Sequence, residues 1–394
     1  NNLDSFLFAM GGKVAMAKDI PVLNLLIGNY GDEEMEATLD INSRSITNSQ
    51  IIIAGATGSG KTNLLAVLIQ QFRMLSTESQ YPVNFLLFDY NGEFSDIQNN
   101  HWLSLFDVDR SCILNPVETP LPFTPFKDFT GRSINEINLY STEMASALCS
   151  IDRVTASANM SNRLSEAIVE AYKVTNGAPI SFELMLKYYQ ARMKDANNDD
   201  SISSVLKQLV NAHIFESEDK VSLIDDSYII KMDGYPKDGP IAKAIVYFLM
   251  SKLNNIYELL DKQAVNDEVV QIRHFSIIDE AHYMLDFDNR PLRNLIAVGR
   301  NKGLSIILAT QNMSSFKSKG FDFYANAQYP LIMKQQTIDD KVIKDLFGVS
   351  GQELQEIRTA IAGLQKGELI IKDQMAFALG MGNKYKKINV THLI

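Results

Sequence analysis

Short apolar runs that end in polar or glycine-rich turns alternate with amphipathic helical stretches along most of the chain. Two strand-like runs come first, Leu23 to Ile27 and Glu36 to Ile41, joined by the turn-rich Gly28-Asn29-Tyr30-Gly31-Asp32. From Gln50 the pattern strengthens. The apolar run Ile51 to Ala54 enters a glycine-rich loop, and Leu64, Leu65, Val67 and Leu68 then recur at helical spacing in a segment reaching about Leu75. A strand from Val83 to Phe88 follows and ends in Asp89-Tyr90-Asn91-Gly92-Glu93-Phe94. Strand, helix, strand at this length predicts a parallel, right-handed unit.

Prolines at 116, 120, 122 and 125 end that regularity and read as a linker. Beyond it, Ile134 to Ile151, Asn162 to Val174, Phe182 to Asp195 and Ser203 to Ala212 repeat apolar residues at helical spacing, with Asp195 to Asp200 as a polar tip. Two short strand candidates, Val221 to Ile224 and Tyr228 to Met232, bring the chain back, and a helix runs from about Ile241 to Leu260. The strand pattern resumes at Phe275 to Ile278. It continues with a helix through Leu292 to Val298 and a strand from Ser305 to Thr310. Helices at Asp339 to Phe347 and Gly351 to Ile361, with strands near Glu368 to Ile371 and Met375 to Leu379, complete the expectation. The predicted architecture is an α/β core with a mainly parallel sheet over 49–115 and 265–394. An all-α subdomain is inserted at 116–264, and a short β segment, an abbreviated barrel or cap, occupies 1–48. The strong strands carry polar residues at their C-terminal ends, the edge where open α/β sheets bind ligands.

Composition narrows the function classes. At 394 residues the chain exceeds what a single hydrophobic core usually organises. Its 46% hydrophobic and 21% charged content is that of a globular protein, and no uninterrupted apolar stretch is long enough to span a bilayer, so no membrane partner is expected. Asn1 to Gly12 has no basic flank and does not read as a signal peptide. Cys112, Cys149 and five scattered histidines offer neither a disulfide framework nor zinc spacing, so buried thiols in a reducing cytoplasm are expected. A net charge of −10 argues against a monomer that coats nucleic acid with its whole surface, while leaving room for a local basic channel.

The chemistry concentrates on the polar strand ends. Gly55-Ala56-Thr57-Gly58-Ser59-Gly60-Lys61-Thr62 is a G-x-x-x-x-G-K-T loop between a strand and a helix, the context a triphosphate site requires. Its glycines let backbone N–H groups turn inward around the phosphates, Lys61 adds a point charge, and the Thr62 hydroxyl is placed to ligate Mg²⁺. The second apolar strand ends in Asp279-Glu280, an aspartate for Mg²⁺ and a glutamate to polarise an attacking water. Gln311 ends the Ser305 to Thr310 strand, a position suited to sensing the γ-phosphate or simply to forming a turn. Asp89 and Glu93 reach the same edge, where they orient water or form a solvated turn. Arg300, between the carboxylate pair and Gln311, is the first candidate for a cation acting on a neighbouring subunit's phosphates, and Arg293 the second. A helix-end arginine that complements the dipole is the plainer alternative. Lys317 and Lys319 form a basic loop that either tracks DNA phosphates or is simply solvated.

The ordered set Gly-Ala-Thr-Gly-Ser-Gly-Lys-Thr-Asn (Gly55 to Asn63), Phe88 to Phe94, Ile278-Asp279-Glu280-Ala281-His282, and Gly299-Arg300-Asn301-Lys302-Gly303 leading to Gln311 resembles the HerA/FtsK superfamily of ring-shaped DNA-pumping ATPases, closest to its HerA branch. The resemblance covers about residues 20 to 380 and implies a RecA-like P-loop NTPase core, ATP and Mg²⁺, a homohexamer and translocation along double-stranded DNA. A nuclease or other effector partner in repair or antiviral defence belongs to the same implication. It assigns phosphate and metal binding to the loop through Asn63, the metal-and-water motif to Asp279 and Glu280, sensing to Gln311 and the intervening arginine to Arg300. A secretion or conjugation motor is the alternative on the same core. A superfamily 2 helicase is disfavoured, because only about eighty residues follow Gln311.

Overall fold

Eleven strands form one continuous sheet in the computed structural model, which describes residues 20–31, 34–98, 100–151, 156–195, 197–318, 321–380 and 382–393. The strands are β1 (Asn24–Tyr30), β2 (Glu36–Asp40), β3 (Ile51–Ala54), β4 (Asn84–Asp89), β5 (Ile113–Leu114), β6 (Tyr228–Lys231), β7 (His274–Ile278) and β8 (Leu304–Thr310). A small separate hairpin, β9 (Lys317–Ser318) and β10 (Phe321–Asp322), precedes β11 (Tyr329–Met333), β12 (Glu368–Lys372) and β13 (Tyr385–Val390). The order across the sheet is β2-β1-β13-β12-β11-β3-β8-β7-β4-β6-β5. From β11 to β5 every neighbouring pair is parallel, and from β11 to β2 every pair is antiparallel.

Strands β3, β7 and β8 are buried along their whole length, as near-continuous apolar runs covered on both faces must be. Alternation sorts their side chains between the two layers. Ile51, Ile53, Phe85, Leu87, Phe275, Ile277 and Ile307 face helix α1 (Lys61–Ser76), whose Leu64, Leu65, Leu68 and Phe72 are fully buried. Ile52, Leu86, Phe88, Ile278 and Leu308 face the opposite layer, which is continuous with the helical insertion. That insertion contains α2 (Ile134–Ile151), α3 (Ala158–Val174), α4 (Phe182–Gln190) and α5 (Ser201–Ala212). Ser157, Ser181 and Asp200 cap the N-termini of α3, α4 and α5, Asp200 through a reciprocal capping box with Ser203. Helix α6 (Pro240–Leu259) returns the chain, and α7 (Arg290–Val298) precedes β8.

Several expectations are corrected. The N-terminal strands do not stand apart as a cap: β13 pairs with β1 and carries the pair onto the edge of the core sheet. Val221 to Ile224 forms no strand, although Leu223 is buried, and β6 already belongs to the core sheet between β4 and β5. Met375 to Leu379 lies in a helix, Gln374–Leu379, since a short run of Met, Ala and Leu suits a helix as well as a strand. Strands β11 and β13 were not expected. Pro330 lacks a ladder donor and masks β11, which nevertheless sits between β3 and β12. Asn1 to Gly12 and Lys319 fall outside the described residues.

One buried cation anchors the far end of α1. The Arg73 guanidinium donates to the carbonyls of Phe106 at 2.9 Å, Val83 at 3.0 Å and Asp107 at 2.8 Å, and to Asn84 Oδ1 at 2.9 Å. Arg73→Ala leaves these acceptors without their donor in a desolvated site, and is expected to cost about 3 kcal/mol of stability. The check is chemical denaturation, in which the midpoint falls while the slope stays constant.

Candidate nucleotide site

The loop after β3 is suspended from three directions. Gly55 N donates to Thr310 O at the end of β8 at 2.9 Å, Ala56 N to Lys334 O beyond β11 at 2.8 Å, and Gly367 N to Ser59 O at 2.8 Å. Gly58 and Gly60 adopt φ of 78° and 102°, left-handed values that only glycine takes without strain. A Cβ on Gly60 would also stand 3.1 Å from Gly367 N. Gly60 is the N-cap of α1 and has no side chain to satisfy the first turn, so the amide donors and the positive end of the helix dipole are left to an anion.

Across from the loop, β7 delivers two nearly fully buried carboxylates, Asp279 and Glu280. Glu280 has φ 55°, a left-handed conformation that costs a side-chain-bearing residue of order 1 kcal/mol or more. It is held there because Ala281 N donates to Ala309 O at 2.7 Å and because its carboxylate is gripped from several sides. Gln311 Nε2 donates to both Glu280 oxygens at 3.2 Å, Asn91 Nδ2 donates to Oε1 at 3.4 Å, and Lys61 Nζ lies 3.9 Å from Oε1. His282 Nδ1 is 3.4 Å from Oε2, and burial pushes its pKa down. Lys61, Glu280 and Gln311, far apart in sequence, therefore meet at one point.

Asp279 Oδ1 accepts from Glu280 N at 2.9 Å. Burial, with Glu280 beside it, pushes its pKa up from 3.8 to about 7, against the pull of Lys61. A desolvated carboxylate pair facing a glycine cradle and a lysine fits a magnesium–triphosphate group, with Thr62 and Asp279 as the residues to hold the metal. Asp89 sits at the same edge but is spent on its own loop. Its Oδ2 accepts from Phe94 N at 3.0 Å, Ser95 N at 2.9 Å and Ser95 Oγ at 2.7 Å. The Glu93 side chain is exposed.

Other predicted residues are placed elsewhere. Asn63 turns away from the cradle to the C-terminal tail, donating to Thr391 O at 2.8 Å and accepting from Leu393 N at 3.0 Å. Arg300 donates to Ser43 O and Ile46 O, both at 2.7 Å, and so ties the turn after β2 to the end of α7. Arg293 stands 3.9 Å from Asp288. Lys317 is paired with Asp345 and is not a free cation. Asn91 and His282 lay inside the quoted motifs without an assigned role, and only the geometry brings them to Glu280. Cys112 is buried with its thiol pushed up to about 12, consistent with an inert role. Among the described residues no helix is long and apolar enough to cross a membrane, and no His, Cys, Asp and Glu cluster suits a metal on its own.

Residues 25–240 match the family described as the central domain of helicase HerA. The DNA import protein CedB of Sulfolobus acidocaldarius is 22% identical over 339 residues, covering 84% of this chain and 51% of its own length. The chain thus spans about half of that relative. VirB4 of Thermoanaerobacter pseudethanolicus shares the fold at a TM-score of 0.67 and 17% identity, with 93% of this chain and 96% of that one covered. The plasmid coupling protein TrwB in complex with ADP and Mg²⁺ does so at 0.59 and 15%, covering 95% and 96%. The RecA-like P-loop architecture is common to these chains.

A pKa raised to about 7 at Asp279 predicts that empty and loaded sites differ in protonation. Its protonated form favours the fold, a contribution fully present below 3.8 and lost as pH rises through about 7. A cation requires the carboxylate, so magnesium–nucleotide binding at pH 6 should release up to about one proton per site. At pH 8 it should release almost none. Calorimetric titrations in buffers of different ionisation heat read this directly.

Proposed function

The chain belongs to the HerA helicase central-domain family, and from that membership and the site geometry we propose that it is an ATP-hydrolysing motor that moves double-stranded DNA through a homohexameric ring. The observation that carries the reading is the Glu280 carboxylate, strained, buried and fixed by Lys61 and Gln311 at the mouth of the glycine loop. The loop amides and Lys61 hold the phosphates. Mg²⁺, when bound by Thr62 and Asp279, draws charge from the phosphate oxygens. Glu280 takes the proton of the attacking water, and Gln311, bonded to the same carboxylate, reports whether the γ-phosphate is present.

Among the described residues the Glu280 carboxylate is met by Lys61 and His282 and by no arginine, which supports a cation arriving from a neighbouring subunit. Arg300 is the first candidate; in the single subunit its guanidinium rests on the Ser43 and Ile46 carbonyls. Residues 116–264, apart from β6, form the inserted subdomain of this motor, and 49–115 with 265–394 its core. The family's helicase description and the DNA import role in CedB's name support DNA as the polymer. A nuclease or other effector, in repair or antiviral defence in the cytoplasm, completes the reading. The second reading, a secretion or conjugation motor, is favoured by the coverage of VirB4 and TrwB by this fold.

Linear double-stranded DNA should raise ATP turnover, while Lys61→Ala and Glu280→Gln should each lower it by roughly a hundredfold or more. Turnover indifferent to every nucleic acid but raised by a peptide would replace the first reading with the second.

Mixing tests Arg300 separately. Arg300→Ala subunits should regain part of their activity when combined with Lys61→Ala subunits, each supplying what the other lacks. No rescue at any ratio would leave Arg300 as a strut for the 43–46 turn.

A further inference from the structure

Two loops that leave neighbouring strands interlock beside Glu280. The exit of β4 carries Asn91 and Gly92, and the exit of β6, where the chain comes back from the helical insertion, carries Asp233 and Lys237. Met232 N donates to Asp89 O at 3.0 Å, and a Cβ on Gly92 would stand 2.6 Å from Asp233 Oδ2, so the loops are in close contact. Lys237 Nζ donates to Asn91 Oδ1, and the other end of the same carboxamide, Nδ2, donates to Glu280 Oε1 at 3.4 Å. Lys237 also lies close enough to the site for its charge to act on His282.

A carboxamide has an acceptor end and a donor end, and either can face a neighbour. If Asn91 presented its oxygen to Glu280, an acceptor would face a carboxylate. A cation on Oδ1 removes that choice, because an ammonium can only donate. We propose that Lys237 is a positioning residue for hydrolysis: it fixes the orientation of the Asn91 carboxamide so that Nδ2 holds the Glu280 carboxylate, and it thereby links the return of the helical insertion to the catalytic glutamate. This rests on the hydrolytic role proposed above for Glu280. The role is distinct from that of Lys61, which meets Glu280 directly from the phosphate loop.

Steady-state turnover by the full chain separates this from a merely structural contact. Lys237→Met should lower kcat about fivefold, the equivalent of one hydrogen bond, with the KM for ATP within about twofold. Lys237→Arg should restore most of kcat, since it too only donates. Asn91→Ala should match or exceed the Lys237→Met loss, and the double variant should be no slower than Asn91→Ala alone. A normal kcat in Lys237→Met, a rise in KM alone, or additive losses in the double variant would each overturn the proposal. The same pair of substitutions read by denaturant midpoint reports the contact without turnover: coupled midpoints are expected, and additive ones overturn the relay. If the wild-type chain hydrolyses no ATP, the functional reading fails while that coupling still decides the contact.

Discussion

The candidate site is organised around one carboxylate held where it would not stay by itself. Glu280 is almost fully buried and left-handed at its backbone, and both features cost free energy that its surroundings must offset. Lys61 comes from the first turn of the helix after β3, Gln311 from the end of β8 and Asn91 from the exit of β4, with the exit of β7 supplying Glu280. In parallel register the C-terminal ends of adjacent strands β3, β8, β7 and β4 lie along one edge, so the four groups converge without any loop having to travel far. The sheet therefore positions the site by its topology alone.

The periphery is fastened to the same edge and the same sheet. β13 joins the N-terminal pair to β12, Asn63 on the first turn of α1 binds the tail after β13, and Gly367 before β12 closes on Ser59 of the loop. On the opposite layer the helical insertion shares a continuous apolar core with β3, β4, β7 and β8. Arg300 joins α7 to the turn after β2, so the segment that carries the candidate intersubunit cation is braced against the N-terminal strands. The glycine loop, tail, insertion and N-terminal strands are thus joined through these contacts and the shared sheet.

Much of this was legible from residues in order. The strand Ile51–Ala54 is wholly apolar, Phe275 to Ile278 is apolar but for Ser276, both lead into chemistry-bearing residues, and α1 announces itself by glycine before it and apolar spacing within it. Less legible were elements whose residues serve the tertiary structure against local preference. β11 carries Pro330 in the middle of the sheet, and β13 opens with Tyr385, Lys386 and Lys387, whose polar pattern gives no strand signal until β1 and β12 flank it. Asn63 read as a loop extension of the phosphate motif, yet its side chain serves the tail, because the end of β13 happens to stop beside it.

Residue order alone was enough for the glycine loop, the acidic pair at a strand end, the parallel strand and helix alternation, and the family to which they belong. Each motif is local, lying within one turn or one strand, and the family follows from their order along the chain. Only the tertiary structure decided which carboxylate is gripped and by what, that Asp89 holds its own loop while Asn91 reaches Glu280, and that Arg300 rests on backbone carbonyls over 250 residues away. Those outcomes depend on distances between strand ends, and a chain read in order contains no distances until its hydrophobic faces have been buried against one another.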